Sequence, residues 1–150
     1  MDLTSLLFSF NGRINRGKWW LALLIYVVFW IAVSIVGYLV MSIAGMLGMV
    51  VFVVAGIVAI ISGIAIGVKR LHDRNKSGWW LAVFYLVPSL LSGVGMYSGS
   101  EAISMLLSLI GFGISVWMIV ELGCLRGTIG PNDYGPDPLE SDVTMSARSA

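Results

Sequence analysis

The most constraining feature of the sequence is a run of fifty residues, Trp19 to Val68, that contains no charged side chain. As one α-helix this run would extend about 75 Å at 1.5 Å per residue, whereas the hydrocarbon core of a bilayer is about 30 Å thick. The run is therefore predicted to cross a membrane twice. Its small and polar residues Ser42, Gly45 and Gly48 place the reversal within residues 41–48.

Two further apolar runs follow a charged central segment, so the sequence predicts an all-α integral membrane protein with four transmembrane helices. The predicted spans are about 19–40, 49–68, 79–97 and 102–125. Charged residues make up 11% of the chain, against about 25% in a soluble domain. Residues 1–138 are expected to form this membrane domain with a polar cytoplasmic cap, and residues 139–150 a disordered tail.

A short amphipathic segment precedes the first span. Leu3, Leu6, Leu7 and Phe10 recur at the spacing of one helical face, with Asp2 available as an N-cap. So short a helix is marginal alone and needs a surface to hold it. The segment is therefore predicted to be an interfacial helix lying on the membrane.

The basic residues set the predicted orientation. In the four-span topology all of them fall on one side of the membrane, and the two turns on the other side contain none. The positive-inside rule then predicts that both termini and the central segment are cytoplasmic. The nine are Arg13, Arg16, Lys18, Lys69, Arg70, Arg74, Lys76, Arg126 and Arg148.

The two halves of the chain share a short sequence similarity. Residues 15–22 read NRGKWWLA and residues 75–82 read NKSGWWLA, an offset of sixty residues that spans one helical hairpin. Two parallel hairpin repeats, related by an axis along the membrane normal, would produce this match. Convergence on the basic and aromatic side chains favoured at membrane interfaces would produce it as well.

Few residues suit catalysis or metal binding. Cys124 and His72 are the only cysteine and histidine, so no internal disulfide is expected, and a metal site would need carboxylates or a second subunit. We expect no metal and no cofactor. His72 beside Asp73 suggests a general base, but adjacent residues on a helix do not face each other, which argues against a dyad.

Glu121 is the one acidic residue within a predicted span. A charge at membrane depth is costly unless it is paired, and Glu121 lies about one turn from the predicted boundary. We expect it to pair with a cation at that level, and Lys69, Arg70 and Arg126 are the candidates.

Three polar motifs lie far apart in the sequence but at the same predicted membrane face. They are Phe10-x-Gly12-Arg13-x-Asn15-Arg16-x-x-Trp19-Trp20, then Arg70-Leu71-His72-Asp73 followed by Ser77-Gly78-Trp79-Trp80, and finally Gly127-Thr128 with Gly130-Pro131-Asn132 and Tyr134-Gly135-Pro136-Asp137-Pro138. Together they resemble a family of bacterial inner-membrane proteins, domain of unknown function 805 (DUF805), also called YhaH-like. This chain departs from the family pattern at Arg126 and Asp133. The resemblance covers most of the chain and implies a small, helical, multi-pass inner-membrane protein without an established reaction.

These motifs supply the candidate binding residues, which are Arg13, Arg16, Arg70, His72, Asp73, Arg74, Asn132, Tyr134 and Asp137. The leading hypothesis is a non-enzymatic membrane module that binds an anionic phospholipid headgroup, an unidentified membrane protein or a second copy of the chain; no nucleic-acid partner is expected. The alternatives are a transporter of a small solute or lipid, supported by the possible repeat, Pro88 and Glu121, and a membrane-embedded enzyme using His72. The turn Gly130–Pro138 is predicted to fold back over the central segment, with Asp137 accepting a hydrogen bond from Arg70 or Arg74.

Overall fold

The computed structural model describes residues 2–140, and this part of the chain is helical without a β-strand. The helices are α1 (Leu3–Phe8), α2 (Arg16–Ala44), α3 (Met46–Asp73), α4 (Trp80–Tyr97) and α5 (Glu101–Ile119). A π-helical turn, Val120–Cys124, continues α5. Four helical segments are long and apolar enough to cross a membrane, namely α2, α3, α4 and α5 with its π-helical turn. The prediction of an all-α membrane protein with four spanning helices is confirmed.

The turn between α2 and α3 is tighter than the predicted reversal over residues 41–48. Helix α2 runs to Ala44 and α3 begins at Met46, so the chain reverses around Gly45. Gly45 has a φ of 36°, in the region that favours glycine, and its N–H bonds to the carbonyl of Met41 at 3.0 Å. A side chain at Gly48 would approach Met41 to 2.5 Å. The glycines therefore allow both helices to continue past the predicted boundaries.

Polar side chains begin three of the helices. Asp2 accepts a hydrogen bond from the N–H of Ser5 at 2.8 Å, and Asn15 accepts one from the N–H of Lys18 at 2.9 Å. Ser100 does the same at the start of α5. Each satisfies one of the N–H groups that a helix leaves unpaired in its first turn.

The helices pack as two hairpins that meet near one end. Helix α2 packs along α3, and α4 along α5, while contacts between the hairpins are fewer. The buried apolar core lies where the hairpins meet and includes Trp19, Leu71, Phe84 and Leu122. At Gly67 a side chain would come within 2.8 Å of Leu81, so this glycine lets α3 approach α4. The core therefore lies at the helix ends that carry the basic residues.

The two similar segments adopt different local structures. Trp19 is 7% exposed, whereas its counterpart Trp79 is 82% exposed. Asn15 caps α2 with its side chain, whereas Asn75 lies in a turn with a φ of 54°. The hairpin arrangement agrees with either a duplication or convergence, and the duplication stays a prediction.

Candidate binding site in the polar cap

The polar cap consists of α1, the ends of the long helices that carry the basic residues, and residues 125–139. Asp73, at the end of α3, is at its centre. Its carboxylate accepts hydrogen bonds from Arg13 at 3.2 Å and from Arg70 at 2.6 Å. All three residues are buried, with exposures of 2%, 6% and 0%. A buried charge is tolerated when it is paired and hydrogen-bonded, so these residues form the structural centre of the cap.

The arginines also bind the carbonyl groups that follow α5. The last carbonyls of a helix have no partner within it, and basic side chains satisfy them favourably. Five side-chain donors from α2, α3 and the central segment reach five successive carbonyls. The pairs are Arg70 Nε to Leu122 at 2.6 Å, Trp20 Nε1 to Gly123 at 3.0 Å, Arg16 Nη1 to Cys124 at 3.2 Å, Arg70 Nη2 to Leu125, and Arg74 Nη1 to Arg126 at 2.5 Å.

Arg13 attaches the C-terminal segment to the rest of the cap. Besides Asp73, its guanidinium donates to the carbonyls of Thr128 at 2.6 Å, Gly130 at 2.8 Å and Gly135 at 3.1 Å. The N–H of Thr128 in turn bonds to the carbonyl of Asp73 at 2.8 Å. The segment predicted to fold back over the central segment thus lies against the end of α3.

His72 contacts Tyr134 rather than Asp73. The two rings stack with centroids 3.9 Å apart and an angle of 8° between planes. Asn132 donates to the carbonyl of His72 at 2.8 Å. Because the Asp73 carboxylate faces Arg13 and Arg70, His72 and Asp73 do not form a catalytic dyad. Among the described residues, the buried Nδ1 of His72 has no hydrogen-bond partner.

The predicted contact of Asp137 with Arg70 or Arg74 is wrong. Asp137 accepts hydrogen bonds from the backbone N–H groups of Leu139 at 2.9 Å and Gly130 at 3.0 Å. Arg70 is unavailable because it is already bonded to Asp73 and to the carbonyls after α5. The Leu139 N–H, followed by the Gly130 N–H and the charges of Arg13 and Arg126, lowers the pKa of Asp137 below its ordinary value.

Glu121 is paired with a cation, but not with any of the three predicted candidates. It forms ion pairs with Arg74 at 3.1 Å and Lys76 at 2.9 Å, and its side chain is 4% exposed. Arg74 and Lys76 follow α3 in the central segment, which brings them beside the π-helical turn. Glu121 therefore connects the two hairpins within the cap.

Lys69 has a role that the sequence did not indicate. It is fully buried and donates to the carbonyls of Ser5 at 2.7 Å and Leu6 at 2.6 Å, near the end of α1. A cation at the C-terminal end of a helix satisfies its carbonyls and the helix dipole. In retrospect, two sequence features point to this contact. Lys69 directly follows the apolar stretch of α3, and the short N-terminal helix has carbonyl groups at its end that need a donor.

A cavity of about 370 Å³ opens beside the start of α2. Its lining includes Arg16, Gly17, Arg126, Asp73 and Asp137. Arg16 and Arg126 are exposed, and neither forms an ion pair with a carboxylate of residues 2–140. No group of three or more His, Cys, Asp or Glu within this described part of the chain is placed to hold a metal ion. The cavity therefore presents two exposed arginines beside two carboxylates.

Sequence comparison identifies the family. Residues 7–136 match the family described as Protein of unknown function (DUF805). The chain belongs to the DUF805 family. Three Escherichia coli K12 relatives are similar to it. Uncharacterized protein YiiR is 32% identical over 160 aligned residues, covering 100% of this chain and 99% of the relative.

Two further relatives are named as inner membrane proteins. Inner membrane protein YhaH is 28% identical over 130 aligned residues, covering 87% of each chain. Inner membrane protein YhaI is 26% identical over 130 aligned residues, covering 87% of this chain and 86% of the relative. No solved structure matches the chain. Together with the four apolar helices, these relatives identify a membrane protein of a family whose function is unknown.

Proposed function

We propose that this DUF805 protein is a non-enzymatic inner-membrane module that binds the phosphate group of an anionic phospholipid headgroup. The observation that carries the proposal is the cavity lined by Arg16 and Arg126. Arginine recognises phosphate well because its planar guanidinium can donate two parallel hydrogen bonds. Within the cap, these two side chains are the arginines that remain exposed.

The charge around the cavity favours an anion despite the two carboxylates in its lining. Asp73 is bonded to both Arg13 and Arg70, so its charge is compensated within the cap. Asp137 is bonded to two backbone N–H groups. The charge of Asp137 acts on nearby Arg126, but four arginines, Arg13, Arg16, Arg70 and Arg126, still outnumber the two carboxylates, so the balance of charge around the cavity is positive.

The start of α2 adds partial positive charge at the same place. The side-chain oxygen of Asn15 accepts a hydrogen bond from the backbone N–H of Lys18, and its carbonyl accepts one from the N–H of Trp19. This leaves the N–H groups of Arg16 and Gly17, the first two residues of the helix, beside the cavity that both residues line. The first N–H groups of a helix and its dipole favour a bound phosphate.

The position of the cavity suits a lipid headgroup. Trp20, half exposed, lies one helical turn from Arg16 and marks the level at which tryptophans meet the membrane interface. Eight of the nine basic residues belong to the polar cap and the turns beside it, and Arg148 lies outside the described residues. The positive-inside rule supports a cytoplasmic location for this face and for both termini.

The alternative functions have less support from the geometry. Glu121 is paired in the cap instead of lying unpaired at membrane depth, where a transporter would use it. His72 is stacked on Tyr134, and the carboxylate of the adjacent Asp73 is bonded to Arg13 and Arg70 instead. A protein partner or a second copy of the chain remains an outcome that the lipid experiment distinguishes.

Native mass spectrometry of the protein from vesicles containing equal amounts of phosphatidylglycerol and phosphatidylcholine tests the proposal. We expect preferential retention of phosphatidylglycerol. Arg126→Gln should reduce that preference about fivefold, because a basic residue near the surface contributes about 1 kcal/mol toward an anionic lipid. Lys18→Gln is the charge-matched control, since Lys18 is in the same region but does not line the cavity.

Four outcomes would oppose the proposal. Equal retention of the two lipids by the unaltered protein would overturn it. Equal losses for Arg126→Gln and Lys18→Gln would show a general charge effect without a site. Displacement of the lipid by millimolar inorganic phosphate would indicate a site for free phosphate, and a stable dimer without lipid preference would favour self-association.

A further inference from the structure

An apolar groove begins one helical turn beyond the phosphate cavity. It is an open hollow of about 940 Å³ along α2, and all of its lining residues, from Trp20 to Ile35, belong to this helix. Leu24, Val27 and Ile31 in its lining are each more than half exposed. Apolar surface at this depth must be covered by lipid or by another helix.

The groove and the cavity lie on the same face of α2. Arg16, Trp20, Leu23, Val27 and Trp30 follow one another at steps of three or four residues, the spacing of one helical face. Arg16 and Trp20 also donate to adjacent carbonyls after α5, those of Cys124 and Gly123. One surface therefore runs from a cationic end at the cap to an apolar stripe in the membrane.

The part of the groove from Trp20 to Trp30 matches one leaflet of a bilayer, and the remainder, to Ile35, extends past it. From Trp20 to Trp30 the helix rises about 15 Å at 1.5 Å per residue, about half of a hydrocarbon core about 30 Å thick. Trp20 thus lies at the depth of the membrane interface, and Trp30 lies at the depth where an acyl chain ends. A single acyl chain attached to a phosphate fits the polarity of this surface and the length of its part from Trp20 to Trp30.

We infer that the groove holds one acyl chain of the same phospholipid whose phosphate occupies the cap cavity. This inference rests on the proposed function and specifies its ligand as a long-chain glycerophospholipid bound along α2. A site that recognises a headgroup alone would distinguish lipids only by the charge of the headgroup. This surface also selects by the presence of a chain that reaches Trp30.

Substitutions that fill the groove test the inference. Val27 lines the groove and is 56% exposed, whereas its neighbour Val28 is 61% exposed and does not line it. Val27→Trp should therefore occlude the groove, and Val28→Trp is the matched control with the same change in size. Lipid binding to the detergent-solubilised protein would be measured with dipalmitoyl and with dihexanoyl phosphatidylglycerol.

We expect Val27→Trp to raise the apparent Kd for the dipalmitoyl lipid at least about fourfold, the factor that burial of one methylene represents. Val28→Trp should leave it unchanged, and neither variant should alter the Kd for the dihexanoyl lipid. Comparing the two variants removes the effect of lipid partitioning into micelles, which is common to both. The unaltered fold of each variant is checked by its thermal unfolding temperature.

The failure of this inference differs from failure of the proposed function. If Val27→Trp and Val28→Trp bind dipalmitoyl phosphatidylglycerol equally while Arg126→Gln still loses the preference for this lipid over phosphatidylcholine, the acyl-chain site is wrong and the headgroup site stands. If the unaltered protein shows no preference between the two headgroups, the proposed function fails and the inference fails with it.

Discussion

The cap and the opposite end of the helices distribute their side chains in opposite ways. In the cap, Lys69, Arg70 and Asp73 are buried and hydrogen-bonded. At the far turns, apolar residues such as Ile43 and Tyr97 are each 87% exposed. One end of the molecule thus has charges inside, and the other end has apolar side chains outside.

This difference indicates which interactions define the arrangement of the helices. In a bilayer, lipid covers an apolar helix face as well as another helix does, so the hydrophobic effect adds little to contacts between spanning helices. The helix ends, however, carry carbonyl groups that need donors, and the cap supplies arginines and a lysine at short distances. Polar contacts in the cap should therefore determine how the two hairpins are placed.

The largest predicted effect is loss of the carboxylate at the centre of the cap. Asp73→Asn leaves Arg13 and Arg70 buried without their shared counter-charge, and removal of one partner from a buried ion pair costs about 3–5 kcal/mol. We expect a marked fall in the thermal unfolding temperature in detergent and in accumulation in the membrane.

Asp133→Asn is the control for this prediction, because Asp133 is an exposed aspartate in the same C-terminal segment. It should behave as the unaltered protein does. Unfolding of Asp73→Asn at the same temperature as Asp133→Asn would mean that contacts between the membrane helices, and not the cap, hold the fold together.

The close packing of the cap predicts an intermediate effect at a glycine. A Cβ built on Gly127 overlaps the Asp73 carboxylate, whereas a Cβ on Gly113 of α5 meets no atom within 4 Å. Gly127→Ala should destabilise the protein by about 1–3 kcal/mol, as overpacking of a tight site does. Gly113→Ala, toward the lipid, should be neutral or stabilising by up to about 1 kcal/mol because alanine favours a helix.

Chemical denaturation of both alanine variants in the same detergent provides the measurement. Equal stabilities would show that the C-terminal segment moves aside at little cost, and the contrast between a close-packed cap and an open membrane surface would be lost.

The architecture was predictable from the sequence because it depends on simple quantities. The uncharged run from Trp19 to Val68 exceeds the bilayer thickness, which requires two spans, and the clustering of basic residues marks one face. The four-helix prediction is therefore confirmed. The extension of α2 to Ala44 was not predictable in the same way, because a helix can continue past the membrane boundary and Gly45 permits a one-residue turn.

The sequence did not predict which charged side chains pair with one another in the cap. Several arginines share one membrane face, so charge alone allows any of them to reach Glu121 or Asp137. The choice depends on side-chain geometry: Arg70 is taken up by Asp73 and the carbonyls after α5, and Glu121 pairs with Arg74 and Lys76. The π-helical turn that presents those carbonyls has no signature in the residue pattern.

The smallest predicted effect concerns pH and the C-terminal segment. Asp137 accepts the N–H groups of Leu139 and Gly130, and these bonds, with nearby arginines, lower its pKa in the folded protein. In the unfolded chain the pKa of an aspartate is about 3.9. The charged carboxylate is thus favoured by folding, so its contribution to stability is complete above about pH 5 and is lost as the pH falls through the lower, folded pKa.

The difference in unfolding temperature between the unaltered protein and Asp137→Asn should therefore be constant from pH 7 to about pH 5 and shrink below about pH 4. Asp133→Asn, at an exposed aspartate of the same segment, is measured beside it as the control. Other carboxylates also take up protons below about pH 5. For this reason the informative quantity is the difference in unfolding temperature between each variant and the unaltered protein at the same pH. A difference that grows on acidification would require a raised pKa for Asp137, and would mean that its bonds to Gly130 and Leu139 do not hold the segment on the cap.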